Sequence, residues 1–252
     1  MHVVHGVAEL RSSLGPTFIV VGVFDGMHLG HAYLLEHLVR ESAVRDARPT
    51  VITFDHHPDQ VLMGTAPALL LDPDERLERL QAAGVDVTVV QHFDDVLRQT
   101  PYDVFVERIR ARVELEGFLM TPDAAFGFER HGTPTTLAEL GAHDGFDVVV
   151  VPPFTIGGQE VRSSAIREAI VRGDLRSAAT LLGRPVTITG ATDRPVDGRT
   201  RLDFTLPIAL PPDGDYPVTV DGDPLMLRLV GGDAFLLGEL SDGRVMVVLG
   251  EA

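Results

Sequence analysis

Four short runs of β-branched and aliphatic residues, 17–23, 50–55, 86–91 and 146–151, are nearly continuous in apolar character, and each is followed by a loop. A strand wet on one side alternates apolar and polar residues, whereas a continuous apolar run belongs to a strand covered on both faces, as in a parallel sheet flanked by helices. The segments between these runs have helical spacing. Residues 31–45 gather Leu34, Leu35, Leu38 and Val39 on one face, 73–83 gather Leu77 and Leu80, and 101–113 gather Val104, Phe105 and Ile109. Strand and helix in alternation predict an α/β domain with a doubly wound, Rossmann-like parallel sheet. Two further helices are expected over 163–171 and 175–182, the second closed by Gly183 with Pro185 just beyond. The first domain is therefore drawn as residues 1–185.

From residue 186 onward the texture changes. Asp, Gly and Pro punctuate short runs at 186–188, 217–220, 225–230 and 245–249, the pattern of a small β-barrel or sandwich of about six strands. The second domain is drawn as residues 186–252.

Composition removes several chemistries. The chain has no Cys, which excludes disulfides, thiolate zinc sites and cysteine nucleophiles. All 21 of its Lys+Arg residues are arginine, so lysine-dependent phosphate loops and Schiff bases are excluded too. Any phosphate must be held by Arg, His or backbone N–H groups. A formal charge of -16 repels phosphate backbones and anionic lipid at long range, so neither nucleic acid nor membrane is an expected partner. MHVVHGVAEL lacks the basic and apolar regions of a secretory leader, and no run is long and apolar enough to span a membrane. A cytoplasmic protein is expected, and no feature singles out a protein partner.

The first apolar run enters Gly22-Val23-Phe24-Asp25-Gly26-Met27-His28-Leu29-Gly30-His31, and a helix is expected at once. Glycines at 26 and 30 let a ligand approach the backbone closely, and the helix start presents N–H groups and a positive dipole end, the makings of a phosphate site. A lone pair of histidines three apart is weak evidence; set between strand and helix with two glycines it is strong. At 161–167, Val-Arg-Ser-Ser-Ala-Ile-Arg opens a second helix, where Ser163 or Ser164 can cap while the other hydroxyl and Arg167 face an anion. Taken alone this is an ordinary capped helix. Two anion-receptive helix starts in a lysine-free domain point to a nucleoside triphosphate.

These two stretches resemble the signature motifs of the HxGH nucleotidyltransferases, and the segments between resemble one branch, the bacterial bifunctional riboflavin kinase/FMN adenylyltransferases, or FAD synthetases. Thr53-Phe54-Asp55-His56-His57-Pro58 is similar to that family's T-F-D-P-H-P, and residues 123–132 to its D-F-x-F-G-K-G-R-x-G. Residues 173–185 are similar to its G-D-x…A…L-L-G-R-P passage. The resemblance implies transfer of AMP from ATP to FMN, giving FAD and pyrophosphate. By it, Gly22, Phe24, Asp25, Gly26, His28, Gly30, His31, Ser163, Ser164 and Arg167 surround ATP, with His28, His31, Ser164 and Arg167 catalytic. Asp55, His57, Pro58, Asp123, Phe126, Gly127 and Arg130 would shape the FMN side. Mg²⁺ would be held mainly by the ATP phosphates, with no metal held by protein ligands alone.

The departures are specific. His56 replaces the first Pro of T-F-D-P-H-P, Phe128-Glu129 replace a Lys-Gly pair, Ala124 replaces an aromatic, and Arg162 replaces a Ser. In the second domain the family's P-T-A-N kinase motif corresponds to Asp203-Phe204-Thr205-Leu206-Pro207-Ile208, so Leu206 and Ile208 stand where Thr and Asn would hold metal and phosphate. A truncated, non-kinase β module is expected. Two rival readings are a nucleotidyltransferase acting on another phosphorylated acceptor and a non-catalytic flavin- or nucleotide-binding regulator.

Overall fold

The computed structural model describes residues 1–193 and 198–250. In chain order its strands and α-helices are β1 His2–Val4, β2 Thr17–Val21, α1 Leu29–Val44, β3 Arg48–Phe54, α2 Asp59–Leu62, α3 Pro73–Ala82, β4 Val87–Gln91, α4 Asp95–Arg98, α5 Tyr102–Arg110, β5 Leu115–Met120, α6 Pro134–Asp144 and β6 Asp147–Val150. A two-residue hairpin, β7 Thr155–Ile156 and β8 Gln159–Glu160, precedes α7 Ser163–Val171 and α8 Leu175–Leu182. Then follow β9 Thr187–Thr192, β10 Thr200–Asp203, β11 Gly214–Val220, β12 Asp223–Val230, β13 Asp233–Leu236 and β14 Gly243–Leu249.

Two compact units result. One comprises Met1–Phe24, Gly30–Pro67 and Leu77–Thr155; the other comprises Asp25–Leu29, Ala68–Arg76 and the chain from Ile156 onward. The second unit is thus larger than the 186–252 segment: it also holds α7, α8 and two short excursions of the N-terminal chain.

The first unit is built on a six-stranded sheet in the order β1-β4-β3-β2-β5-β6, every pair parallel. The expected strands are present within a residue or two of their drawn ends. Its centre is the packing of Ile19, Ile52, Val87, Val89 and Phe118 against Phe105, Val106 and Ile109 of α5 and Leu137 of α6, all buried. Strand order reverses between β3-β2 and β2-β5, so the carboxyl end of β2 is the switch point, where open parallel sheets leave a crevice. Helix α6 was not expected from periodicity, although its terminal signals are strong. Thr133 accepts from the Thr136 N–H in a capping box, Pro134 opens the first turn, and Gly145 ends the helix in the left-handed conformation.

In the second unit, β9 to β14 close an antiparallel barrel in the order β10-β13-β12-β11-β14-β9. Buried Ile188, Leu202, Val218, Leu227, Leu229, Leu236 and Val247 fill it, and along β10, β11 and β12 they alternate with more exposed neighbours. The stretch 203–208 is committed to the fold. Pro207 O accepts from Leu69 N at 2.7 Å and Leu69 O accepts from Ala209 N at 2.7 Å, flanking a bridge between Leu69 and Ile208. Among the described residues, no helix is long and apolar enough to cross a membrane.

Candidate active site

The turn after β2 is conformationally costly. Phe24, Gly26 and Met27 have φ of 53°, 82° and 42°; only glycine takes such values without penalty, and strained non-glycine residues of this kind persist where surrounding structure holds them. At Gly26 a Cβ would meet Leu70 Cδ1 at 2.8 Å, so the position needs both glycine's freedom and its lack of a side chain.

Asp25, Ser163 and Arg167 meet at this turn. The Asp25 carboxylate, 4% exposed, accepts from Leu70 N at 2.8 Å through Oδ1 and from Arg167 Nη2 at 2.7 Å through Oδ2. Arg167 Nε donates to Ala68 O at 2.6 Å, so the guanidinium is held in one orientation by two acceptors. Ser163 Oγ donates to the Asp25 carbonyl at 2.9 Å. This corrects the expectation that a serine caps α7: the cap residue is Arg162, without a side-chain capping bond, and Ser163 is already helical. Its hydroxyl fastens the turn instead. Ser164 is exposed on the first turn of α7.

Arg184 completes this arrangement and was not among the expected site residues. Its Nη1 donates to Met27 O at 3.0 Å and its Nη2 to Gly26 O at 2.7 Å. The guanidinium thus satisfies two carbonyls of the left-handed stretch. The signal at Arg184 was its place in the L-L-G-R-P passage; no local pattern ties it to a turn more than 150 residues away.

His28 is buried, and burial together with the nearby Arg184 charge lowers its pKa from 6.5 to about 4. At neutral pH it is therefore an uncharged imidazole. The unfolded chain protonates this group below pH 6.5 while the fold resists until about 4. Stability from this source is fully present above 6.5 and is lost as pH falls toward 4, by about 3 kcal/mol in all. Urea unfolding midpoints of wild type and His28→Gln, compared from pH 7 to 4.5, are expected to diverge at neutral pH and converge on acidification. Parallel curves would mean that the imidazole is not desolvated.

Helix α1 starts at Leu29, two residues before its drawn start, which puts Gly30 and His31 in its first turn. The His31 ring lies 5.1 Å from that of buried Phe24.

In the first unit, a cavity of about 890 Å³ opens at the switch point, lined by Val20 and Val21 of β2, Gly22, Phe54 at the end of β3, Phe118 to Met120 of β5, and residues 123–130. That volume lies in the range of cofactor and ligand sites, roughly 300–1,000 Å³. Pro58, Asp123, Phe126, Gly127 and Arg130, all expected to share one site, do line it. Arg130 Nη2 donates to Asp123 O at 3.1 Å, and Asp123 Oδ1 accepts from Thr121 Oγ1 at 2.9 Å. At Gly127, φ is 77° and a Cβ would fall 2.6 Å from Tyr102 N. The Phe128–Arg130 turn carries Glu129 and Arg130 at φ of 52° and 58°.

Asp55 and His57 lie outside the lining of the cavity. Asp55 is turned toward His92 and His56, and although burial pushes its pKa up, the His92 hydrogen bond and the His56 charge outweigh this and hold it low. His57 Nδ1 accepts from Asp59 N at 3.2 Å.

A switch-point cavity on a parallel sheet, with a strained, arginine-fastened turn leading into a helix, defines a doubly wound, Rossmann-like α/β protein. The sequence model of the FAD synthetase family matches residues 10–165, and the chain belongs to that family. It is 32% identical over 192 residues to the bifunctional riboflavin kinase/FMN adenylyltransferase of Haemophilus influenzae, covering 75% of this chain and 62% of that protein. The protein of the same description from Listeria monocytogenes is 29% identical over 174 residues, covering 68% and 55%. The matches thus span about three fifths of these relatives. A crystal structure described as a macrolide-efflux protein from Streptococcus pneumoniae has the same fold, with a TM-score of 0.81 at 21% identity over 98% of this chain and 88% of that one.

Proposed function

We propose that this chain is an FMN adenylyltransferase: it transfers AMP from ATP to FMN, giving FAD and pyrophosphate, and does not phosphorylate riboflavin. The observation that carries the reading is the turn from Phe24 to His31, where a strained backbone, an oriented Arg167 and a neutral His28 precede a helix start, in a chain of the FAD synthetase family.

In this reading a phosphate oxygen of FMN attacks the α-phosphorus of ATP, a new P–O bond forms, the bond to the β-phosphate oxygen breaks, and pyrophosphate departs. No protein nucleophile is needed. The chain must orient two anions and meet charge as it moves to the leaving group. His28 and His31 donate imidazole N–H groups, Ser164 a hydroxyl, and Arg167 the edge of its guanidinium not engaged by Asp25 and Ala68. The first-turn amides of α1 add the dipole of a helix start. Mg²⁺ fits as an ion brought by ATP, neutralising phosphate charge. Asp25, the carboxylate of the turn, is committed to Arg167 and Leu70 and is not offered as its ligand. The cavity takes the flavin, whose apolar ring suits Phe54, Phe118 and Phe126.

Loss of the kinase step follows from Leu206 and Ile208, which offer hydrocarbon where a metal and phosphate would need oxygen. Separate incubations with ATP, Mg²⁺ and either FMN or riboflavin test both halves. FAD from FMN, with riboflavin unchanged, is expected; FMN made from riboflavin by the pure protein would overturn the second half.

One feature favours the reading with another phosphorylated acceptor. Glu129 lines the cavity and carries a negative charge where the resembling family has glycine. Its φ of 52° is a value glycine adopts freely, so Glu129→Gly removes both the charge and the backbone cost. FMN affinity, followed by flavin fluorescence, is expected to rise several-fold in this variant at low salt and the gain to shrink at high salt. Unchanged or weaker binding would favour a different acceptor.

A further inference from the structure

His56 and His92 have no role in the chemistry above, yet the fold brings them to one carboxylate. Asp55 and His56 follow β3, His92 follows β4, and these neighbouring strands end side by side. His92 Nδ1 lies 2.5 Å from Asp55 Oδ2, and His56 Nδ1 lies 2.8 Å from Asp55 Oδ1. One nitrogen from each ring and one carboxylate oxygen all fall within 4.8 Å of one another, the group of three with this property among the described residues.

The hydrogen bonding of His56 narrows what such a cluster is for. Its Nε2 is 2.9 Å from the carbonyl oxygen of Phe93. A carbonyl only accepts, so Nε2 carries the hydrogen, and in the neutral ring Nδ1 is then a lone pair. That lone pair faces a carboxylate oxygen that already accepts from His56 N at 2.9 Å and Phe93 N at 3.3 Å. A cation belongs between two electron pairs so placed, either a proton on the ring or a metal ion that displaces it. A ring whose far N–H is fixed on a backbone carbonyl is also the usual state of a metal-bound histidine, since that bond sets the tautomer and the ring's direction.

We propose that Asp55, His56 and His92 form a binding site for one divalent transition-metal ion of the zinc type, through Nδ1 of His56, a ring nitrogen of His92 and the Asp55 carboxylate. Two imidazoles with a single carboxylate suit Zn²⁺, Co²⁺ or Ni²⁺ and not Mg²⁺, which takes oxygen ligands, so this site is separate from any ion carried by ATP. Bonds of about 2.1 Å place tetrahedral donors roughly 3.4 Å apart, inside the 4.8 Å within which these ligand atoms already lie. The His92 side chain is 66% exposed, which gives the ion a route in and leaves room for water as the fourth ligand. Phe54 and Phe93, the residues that precede Asp55 and follow His92, both line the cavity. An ion here would tie the ends of β3 and β4 together at the cavity's edge, and it would do so whatever acceptor the cavity takes.

The full chain, stripped with chelator and dialysed, is titrated with Co²⁺ by visible absorption and with Zn²⁺ by calorimetry. One equivalent is expected to bind saturably, with a thermal midpoint raised by Zn²⁺, and His56→Gln and His92→Gln should each weaken binding at least tenfold, as loss of a ligand does. The control His143→Gln, at an exposed site on α6, should leave it unchanged, and circular dichroism shows whether each variant is folded. Absence of saturable binding, binding that survives in both ligand variants, or displacement of Co²⁺ by millimolar Mg²⁺ would each overturn the site.

Discussion

Arg167→Ala is expected to be the most damaging single change, lowering stability by about 3 kcal/mol or more and removing measurable turnover. The Asp25 carboxylate is 4% exposed, and the variant strips it of its cation while Leu70 N still holds it in place. A buried charge without its counterion costs far more than the intact pair contributes. Arg167→Lys distinguishes charge from shape. An ammonium can reach Asp25 Oδ2 or Ala68 O but cannot hold both while also facing a phosphate, as the planar guanidinium can. Lysine is expected to restore much of the stability and only a small part of the rate, with the remaining defect falling on ATP. Full recovery of rate by Lys would show that orientation is immaterial. Chemical denaturation and steady-state kinetics on the three proteins give both readouts.

The second large effect concerns the histidines. His28→Ala and His31→Ala should each slow adenylyl transfer by roughly 10²-fold or more, the size of losing one preoriented donor to charge that develops in the transition state. ATP affinity should fall much less, because a contact that strengthens only as the leaving group forms contributes to rate and not to ground-state binding. Single-turnover rates and ATP binding isotherms separate these quantities. If affinity fell as far as rate, the histidines would be plain phosphate ligands; if neither moved, the site would lie elsewhere.

The sheet was legible because strands covered on both faces must be apolar at nearly every position, as β2, β3 and β4 are, and because β6, an edge strand with Asp147 and Val150 exposed, still reads Val-Val-Val. β5 escaped because its sequence, LEGFLM, carries Glu116 and Gly117 inside the strand. Gly117 is there because a Cβ would press on the Phe18 ring at 2.7 Å, a reason that exists only once the strands are paired. The barrel showed itself through turn residues and alternation, but its closure depends on β9 pairing with both β10 and β14, which no local pattern encodes.

The candidate site divides along the same line. The turn at 22–31 was visible as a motif because its glycine and histidine positions are set locally, and the loop at 123–130 through its resemblance to the family's D-F-x-F-G-K-G-R-x-G. What fixes them was not visible. Asp25 reads as an ordinary turn residue, yet its partners are 45 and 142 positions away. Arg184 acts across 157 and 158 positions. Asp55 stands with the flavin-side residues in sequence but is not among those that line the cavity, and its carboxylate bonds to His92, 37 positions on.

The most direct test of the account follows phosphorus. Wild-type protein is incubated with FMN, Mg²⁺ and ATP labelled in parallel at the α- or γ-phosphorus. Adenylyl transfer predicts that α-label appears in FAD and γ-label in pyrophosphate, in equal amounts and only when FMN is present. Labelled AMP without FAD, γ-label on a flavin, or no product from protein that binds both ligands would contradict it.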